Sequence, residues 1–200
     1  ETGIINDMQA VAGGTTEILS IFLVICISYQ YAKIKDLNGL SASVMSLGFF
    51  LILIPQKIIG TDGTTINAFS KDYIGSMGIF VSLLTAILVS VLYSWLTKKG
   101  LVIKLPDSVP TYVSEAFSPA FISIIIFSLA FVIRVLFRLT TYDNIFNFTQ
   151  EIITAPIMGI GSSTVAVIGL SVLANFVWFF GIHPGTLISA TMPIFMTSLA

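Results

Sequence analysis

The chain has 200 residues, of which 56% are hydrophobic and only 10% are charged, and its formal net charge is −1. A soluble domain carries roughly 25% charged residues, so this composition indicates an integral membrane protein. The near-neutral charge, with no basic stripe along the sequence, argues against a nucleic-acid partner. The single cysteine, Cys26, has no internal disulfide partner and no zinc-type spacing around it.

Five apolar segments are long enough to cross a bilayer, which takes about 20 mainly apolar residues in a helix. Because lipid offers the backbone no hydrogen-bond partners, each segment is predicted to be helical. Pro55 should break or kink the last turn of the second segment. The segments run from about Thr15 to Ala32, Ser41 to Ile59, Gly75 to Leu96, Phe117 to Leu139 and Thr164 to Ile182.

The connectors between these segments predict short structures of different kinds. The polar stretch from Gly60 to Asp72 favours a short hairpin around Ile66 to Phe69. Lys98, Lys99 and Gly100 are typical of a helix end, and Leu101 to Leu105 would suit a short strand. From Val109 to Phe117 the apolar residues recur on one helical face, which predicts an amphipathic helix along the membrane interface.

The stretch from Tyr142 to Ser163 predicts a re-entrant hairpin. Its first part mixes apolar and polar residues, and Ala155 to Ser163 then carries one proline and two glycines. Non-helical backbone at membrane depth requires surrounding protein or a water-filled cavity. A surface loop with an interfacial helix is the alternative. Glu151 lies inside this stretch, and an ionisable group in a membrane is a candidate for function.

Charged residues near the ends of the segments bear on orientation. The lysine-rich side is expected to face the cytoplasm. Arg134 and Arg138 share a helix face and oppose this orientation if the fourth segment crosses the membrane simply. They either reach towards the interface or line an interior surface or a tilted helix. Glu17 at the start of the first segment either complements the helix dipole or has a functional role. The lysines of one side are Lys33, Lys35, Lys98, Lys99 and Lys104, and those of the other are Lys57 and Lys71.

Polar and aromatic groups collect where the last segment should end. Asn175 and Trp178 share a helix face, and His183, the only histidine, follows shortly before Pro184 and Gly185. The apolar face of a sugar ring stacks on an indole, while its hydroxyls need hydrogen-bond partners such as an amide and an imidazole. Histidine also changes charge near neutral pH. The cluster therefore favours a sugar site, with a merely interfacial histidine as the alternative.

Three motifs in this order span most of the chain. They are Leu105-Pro-Asp-Ser-Val-Pro110 with Ser118-Pro119-Ala120, then Ile153-Thr-Ala-Pro156 with Gly159 and Gly161, and Trp178-Phe-Phe-Gly-Ile-His183. The last is similar to a W-F-F-G-I-H motif, and the others to a P-x-x-V-P segment and a Q-A-P-x-x-G-x-G hairpin. Together they resemble the permease subunit, enzyme IIC, of the bacterial phosphoenolpyruvate-dependent sugar phosphotransferase system. The closest resemblance is to its cellobiose, diacetylchitobiose and lactose branch.

The resemblance implies an all-α integral membrane fold: a multi-span helical permease fragment with an interfacial amphipathic helix and a re-entrant hairpin. Residues 1–108 would be part of a dimerisation half with three spans. Residues 109–200 would be part of a transport half with the amphipathic helix, a span, the hairpin and another span. His183 would contact the sugar and Trp178 would stack on it. The candidate substrate-binding set is His183, Trp178, Asn175, Gly181 and Glu151, with no metal ligand and no catalytic residue.

The resemblance also implies a function and partners. The chain would be a sugar-translocating, multi-pass subunit of the bacterial cell membrane that binds a β-linked disaccharide, and it is expected to be a homodimer. A separate enzyme IIB, which receives its phosphoryl group from enzyme IIA, would transfer that group from a phosphocysteine to the sugar 6-hydroxyl. Cys26 is not that cysteine, and no cofactor is implied. Whether the subunit itself counts as an enzyme is left open.

Two departures from the family pattern shape the alternatives. Pro184 stands where the family has glycine, and proline removes an N–H and fixes φ. The G-I-T-E-P segment, whose glutamate pairs with the histidine, does not occur, so we expect an internal piece of a permease or a shortened relative. A non-transporting membrane scaffold or receptor is the second hypothesis, and an ion-coupled carrier is the third. The N-terminal residues lack a basic region, so no cleaved leader is expected.

Overall fold

Helices account for most of the chain in a computed structural model, which describes residues 2–59, 63–101, 119–154, 168–169, 171–172 and 175–176. By their contacts, residues 1–147 form one compact unit and residues 148–200 a second. The helices are α1 (Thr2–Gly13), α2 (Leu19–Ile34), α3 (Gly39–Leu53), α4 (Lys71–Ile74), α5 (Ile79–Lys98), α6 (Ala120–Arg138) and α7 (Ile145–Thr149). There are also 3₁₀ turns at Thr16–Ile18 and Ser76–Gly78, and a π-helical turn at Gln150–Thr154.

The predicted membrane spans are largely confirmed within the described ranges. Three helical segments there are long and apolar enough to cross a membrane: Gly3–Ile34, Ser76–Lys98 and Ala120–Arg138. The first of these joins α1, a 3₁₀ turn and α2, and α1 was not predicted from the sequence. Most of the predicted fifth span, Thr164 to Ile182, lies outside the described residues.

The second predicted span is shorter than expected. We predicted a helix from Ser41 to Ile59, but α3 ends at Leu53, and Ile54 adopts an extended conformation with ψ 131°. Pro55 is the reason, because proline disfavours helical geometry in the residue before it and cannot donate a backbone hydrogen bond. The 15 residues of α3 extend about 22 Å, less than the roughly 30 Å hydrocarbon core.

A short hairpin follows α3, but it lies earlier in the chain than the predicted one around Ile66 to Phe69, and its first strand falls within the predicted second helix. Strand β1 (Lys57–Ile59) pairs antiparallel with β2 (Thr65–Asn67), and Ile58 lies opposite Ile66. Of the predicted strand at 101–105, Leu101 is described and does not lie in a strand; the rest lies outside the described residues. The predicted amphipathic helix from Val109 to Phe117 also lies outside them.

Local sequence signals fix the helix ends. Asn38 caps α3, since its Oδ1 accepts a hydrogen bond from the Ser41 N–H at 3.0 Å. Helix α5 ends at Lys98, and Gly100 takes a φ of 77°, which a residue with a side chain rarely adopts. The Leu101 N–H then donates to the Leu96 carbonyl at 3.2 Å, closing the helix end as the lysine-glycine sequence predicted.

Small polar residues line the helix contacts of the first unit. Helix α2 packs against α3 and α5, and α6 packs against α3. The Ser43 hydroxyl bridges two helices, donating to Gly39 O at 2.9 Å and to Ile25 O at 3.1 Å. In lipid there is no hydrophobic driving force for two helices to associate, so small residues that allow close packing hold them together instead. The buried serines are Ser20, Ser28, Ser43, Ser46, Ser82, Ser90 and Ser94.

The outer faces of α5 and α6 are apolar and exposed, as a bilayer requires. On α5 these residues include Leu84, Ile87 and Val91, and on α6 they include Phe131 and Leu136. The three inward residues Ile122, Ile126 and Ala130 of α6 are completely buried. Each helix therefore has one face for protein and one for lipid.

Candidate functional site

The predicted sugar cluster lies mainly outside the described residues. His183, Trp178 and Gly181 belong to the range 177–200, which is not described. Asn175 is described and exposed, and its Nδ2 donates to the Ser171 carbonyl at 2.8 Å. That bond engages the amide with backbone four residues earlier in the chain. The convergence of Asn175, Trp178 and His183 on a sugar stays a prediction.

Glu151 lies in the π-helical turn that follows α7. This turn spans Gln150–Thr154, and the Glu151 side chain is exposed. A π-helical turn inserts an extra residue and rotates the side chains that follow, and such turns occur frequently at functional sites. The structure thus describes the helical start of the predicted re-entrant hairpin, while residues 155–163 lie outside the described part. A role for Glu151 in sugar binding stays a prediction.

The beginning of α7 is held by a network of amides. Asn144 Oδ1 accepts from the Asn147 N–H at 2.9 Å, and Asn147 Nδ2 donates to the Tyr142 carbonyl at 3.1 Å. Asp143 has a φ of 64°, so the chain makes a tight turn just before the helix. The polar residues that interrupt this stretch in the sequence therefore include the cap of α7.

Phe146 anchors α7 in the hydrophobic core. Its ring is completely buried, with the ring centroid of Phe50 at 5.7 Å in an edge-on arrangement and that of Tyr73 at 5.0 Å. These partners lie on α3 and α4. The segment that opens the predicted hairpin is thus attached at its start to the end of α3.

Arg134 lies on α6 and points at α3. Its Nη1 donates to the carbonyls of Ile52 at 2.5 Å and Ile54 at 2.7 Å, and its side chain is half-buried. Of the two roles left open by the sequence, the structure gives Arg134 the interior one. Arg138, one turn later, is exposed at the helix end.

A small open pocket of about 80 Å³ lies beside this contact. It combines two guanidinium groups, one carboxylate and one buried amide with apolar walls. At roughly 15 Å³ per water, it has room for about five water molecules and not for a disaccharide. The pocket is lined by Leu53, Pro55, Arg134, Phe137, Arg138, Asp143, Asn144 and Ile145.

Glu17 has a partner that the sequence did not predict. Its Oε2 lies 2.7 Å from Lys71 Nζ, and both side chains are substantially exposed, at 46% and 66%. The buried contact beside it is a hydrogen bond of 2.5 Å from Ser20 Oγ to the Gly75 carbonyl. Together these contacts attach the start of α2 to the α4 region. No signal in the sequence linked positions so far apart.

The described residues contain no group of three or more histidine, cysteine, aspartate or glutamate side chains that could hold a metal ion. Cys26 is a free, exposed thiol on α2.

Comparison with known proteins decides the family. The sequence model of the family "Phosphotransferase system, EIIC" matches residues 2–200. The chain belongs to the phosphotransferase system EIIC family. Like other EIIC components, it is a multi-pass membrane protein, which agrees with its apolar helices.

Individual EIIC relatives support this assignment. The galactose-specific EIIC component of Lactococcus lactis subsp. cremoris is 36% identical over 98% of this chain and 47% of its own length. The oligo-beta-mannoside-specific EIIC component of Bacillus subtilis is 32% identical over 92% of this chain and 42% of its own length. The chain thus spans a little under half the length of these EIIC relatives.

A solved EIIC structure has the same fold. The crystal structure of ChbC, the IIC component of an N,N′-diacetylchitobiose-specific phosphotransferase system, matches with a TM-score of 0.81. The match has 26% sequence identity and covers 92% of this chain and 44% of ChbC. The all-α membrane fold predicted from the sequence is therefore confirmed.

Proposed function

We propose that the chain is part of the sugar-translocating subunit of a phosphoenolpyruvate-dependent phosphotransferase system, with a β-linked disaccharide as substrate. The observation that carries this proposal is the family match over residues 2–200. Relatives named for cellobiose and lactose, and the chitobiose transporter ChbC, support the disaccharide. The motif from Trp178 to His183 supplies the chemistry for holding it.

A monosaccharide substrate is the second candidate. The relative that is 36% identical is named as galactose-specific, and the relative at 32% is named for oligo-beta-mannosides. The sugars in these names share a hexose unit and differ in what is attached to it. We therefore expect the hexose with its 6-hydroxyl to be the common part of the ligand.

We propose that the two parts of the chain have different roles in the permease. Residues 1–108 would belong to the dimerisation half and residues 109–200 to the transport half, so that the working permease is a homodimer. His183 would accept a hydrogen bond from the sugar 6-hydroxyl, and Trp178 would stack on the ring. Asn175, Gly181 and Glu151 would complete the protein's contribution to the site.

The coupling to phosphorylation would involve partner proteins. Enzyme IIB would receive a phosphoryl group from enzyme IIA. It would then transfer this group from its cysteine sulfur to the 6-hydroxyl oxygen, breaking the P–S bond and forming a P–O bond. The hydroxyl proton would leave to a base, for which neutral His183 is suited because imidazole titrates near neutral pH. The phosphorylated sugar carries added negative charge and would be trapped inside the cell.

A sugar-uptake assay with the full-length protein tests this proposal. Cells without their own permease would express it with its IIA and IIB partners, and uptake of labelled cellobiose, N,N′-diacetylchitobiose and galactose would be compared. We expect uptake to require phosphoenolpyruvate and to be abolished in His183→Ala, whereas Phe131→Leu, an exposed substitution on α6, should have little effect.

The alternatives predict different results. Uptake that collapses with the proton gradient and persists without phosphoenolpyruvate would indicate an ion-coupled carrier. Absence of both uptake and sugar binding in a correctly inserted protein would favour a scaffold or receptor. Uptake of galactose but of neither disaccharide would show that the substrate is the monosaccharide and not a β-linked disaccharide.

A further inference from the structure

The direction of Arg134 needs a physical explanation. An arginine near the end of a membrane helix can extend its charge to the interface at little cost. Arg138 is exposed at the end of the same helix, but Arg134 is half-buried and directed at α3. The desolvation of its charge must therefore be offset by the groups that it binds.

Those groups are carbonyls that α3 cannot satisfy itself. The last carbonyls of a helix have no intrahelical donor, and Pro55 brings no N–H to the turn that follows. Arg134 Nη1 donates to Ile52 O at 2.5 Å and to Ile54 O at 2.7 Å. A side chain of one span thus caps the C-terminal end of another, with a cation where the helix dipole is negative.

This cap fixes the position of α6 along α3. Elsewhere the two helices meet through tight van der Waals contact: a Cβ at Gly48 would lie 2.7 Å from the Phe127 ring. Apolar contacts between helices tolerate sliding, but two short hydrogen bonds from one nitrogen hold only within a few tenths of an ångström. Arg134 therefore sets the register between the two spans.

The proposed boundary between the dimerisation and transport halves falls between α5 and α6, and so it separates α3 from α6. By contacts, however, α6 belongs to the same compact unit as α3. The packing of α6 along α3, with the Arg134 cap at its end, accounts for that grouping in the conformation seen here. If the halves move relative to each other, the bonds of Arg134 must break.

We propose that Arg134 is a positioning residue of the transport cycle, whose bonds to Ile52 and Ile54 hold the two halves in one conformational state. The proposal rests on the transport function proposed above. Breaking the bonds would shift the population towards the other state and change transport without any contact to the sugar. Arg134 acts through α3 and is not a substrate ligand.

Two substitutions separate positioning from folding. Arg134→Lys keeps the positive charge and a nitrogen with several donors, but its side chain is one bond shorter, so it should recover the contacts with the two carbonyls only in part. Arg134→Gln offers a still shorter, uncharged donor. We expect R134Q to change both KM for uptake and sugar affinity about tenfold, a common size for coupling between states. R134K should give values between those of R134Q and wild type, and R138Q is the matched control with unchanged KM.

A purely structural role would give another pattern. It would lower the amount of folded protein and Vmax in proportion, with KM and sugar affinity unchanged in R134Q. That result would overturn the proposal. Loss of all phosphoenolpyruvate-dependent uptake by the wild-type protein would instead refute the proposed function, so the two failures are distinguishable.

A cross-link tests the same idea with Arg134 intact, which matters if R134Q does not fold. Leu53 and Phe137 line the same pocket beside the cap. With Cys26 and any other cysteine of the full-length protein replaced, Leu53→Cys and Phe137→Cys would be joined by a bifunctional thiol reagent whose spacer is attached through reducible disulfides. Joining would be scored by the loss of both free thiols. We expect the joined protein to stop transport and recover with reductant. Transport at an undiminished rate by the joined protein would show that these helix ends never separate, and the proposal would be wrong.

Discussion

Arg134 and Ile54 join two spans at their ends: the guanidinium Nη1 donates to the Ile54 carbonyl at 2.7 Å, one residue before Pro55. The proline that stops α3 also leaves carbonyls exposed, and the arginine of α6 binds them. The sequence showed both residues, but their relationship depends on the chain folding back across a separation of 80 positions. A local pattern cannot supply that information.

Replacing Arg134 should therefore lower stability as well as affect transport. R134Q removes two charge-assisted hydrogen bonds and leaves carbonyls without partners. We expect a loss of roughly 2 kcal/mol in unfolding free energy, measured as a lower melting temperature in detergent. R138Q, at an exposed position, is the control and should change little. Equal shifts for the two variants would show that the carbonyl contacts contribute nothing.

Gly78 should not tolerate a methyl group. A Cβ there would overlap the Tyr73 carbonyl, which is backbone, and lie 2.8 Å from Ser20 Oγ, which is held by its hydrogen bond to the Gly75 carbonyl. We expect Gly78→Ala to cost about 1–3 kcal/mol, as other overpacked substitutions do. Thermal unfolding followed by size-exclusion chromatography would measure the loss.

Gly14→Ala is the matched control for Gly78→Ala. The nearest atom to a Cβ at Gly14 would be the Ala10 carbonyl oxygen at 3.6 Å, an ordinary contact. Alanine also restricts the unfolded chain more than glycine does, so stability should be unchanged or slightly higher. A cost at Gly14 equal to that at Gly78 would contradict the close-contact explanation.

The sequence predicted what local chemistry determines. Apolar length gave three of the spans, and Lys98, Lys99 and Gly100 gave the end of α5. A hairpin was predicted around Ile66 to Phe69, but it forms between residues 57 and 67. The prediction also placed the end of the second span six residues too late, at Ile59 instead of Leu53. The restriction that Pro55 imposes on the residue before it, together with the strand that follows, outweighed the apolar run.

The candidate site stays a prediction, and the contacts that the structure does describe show why a sequence cannot supply a site in full. Motifs show which residues carry suitable chemistry, but a site needs side chains from several segments at defined distances. The partner of Glu17 is Lys71, 54 residues away, and the hydrogen bonds of Arg134 reach back 80 residues or more. Hydropathy places such charges near helix ends and says nothing about what they bind.

Buried serines should differ in their contribution to stability. The hydroxyls of Ser46 and Ser90 have no hydrogen-bond partner among the described residues, whereas Ser20 Oγ donates to the Gly75 carbonyl at 2.5 Å. Removing an unpaired polar atom can be neutral or stabilising, but removing a paired donor leaves its acceptor unsatisfied. We therefore expect Ser90→Ala to keep or raise the melting temperature.

Ser20→Ala is the comparison and should lower the melting temperature, corresponding to about 1 kcal/mol. Both substitutions remove one hydroxyl from a buried position, so their cavity terms are similar. If Ser90→Ala proved as destabilising as Ser20→Ala, the Ser90 hydroxyl would have to bind a group outside the described residues.

Phe146 should be the residue on which the attachment of α7 depends most. Its ring is completely buried against Phe50 and Tyr73, while Phe131 on α6 is 62% exposed. Truncating a buried phenylalanine to alanine typically costs 3–5 kcal/mol because a cavity remains. We expect about that loss for Phe146→Ala and a smaller one for Phe146→Leu, which refills part of the volume.

Phe131→Ala removes the same atoms from the lipid-facing side of α6 and should change the unfolding free energy by less than about 1 kcal/mol. Limited proteolysis adds a local readout, because release of Phe146 should expose the chain around Asp143 to cleavage before the rest of the protein unfolds. If Phe146→Ala and Phe131→Ala had the same melting temperature and resisted protease equally, α7 would not depend on the Phe50 and Tyr73 contacts. The start of the predicted hairpin would then have to be held by the Asn144 cap and its neighbours.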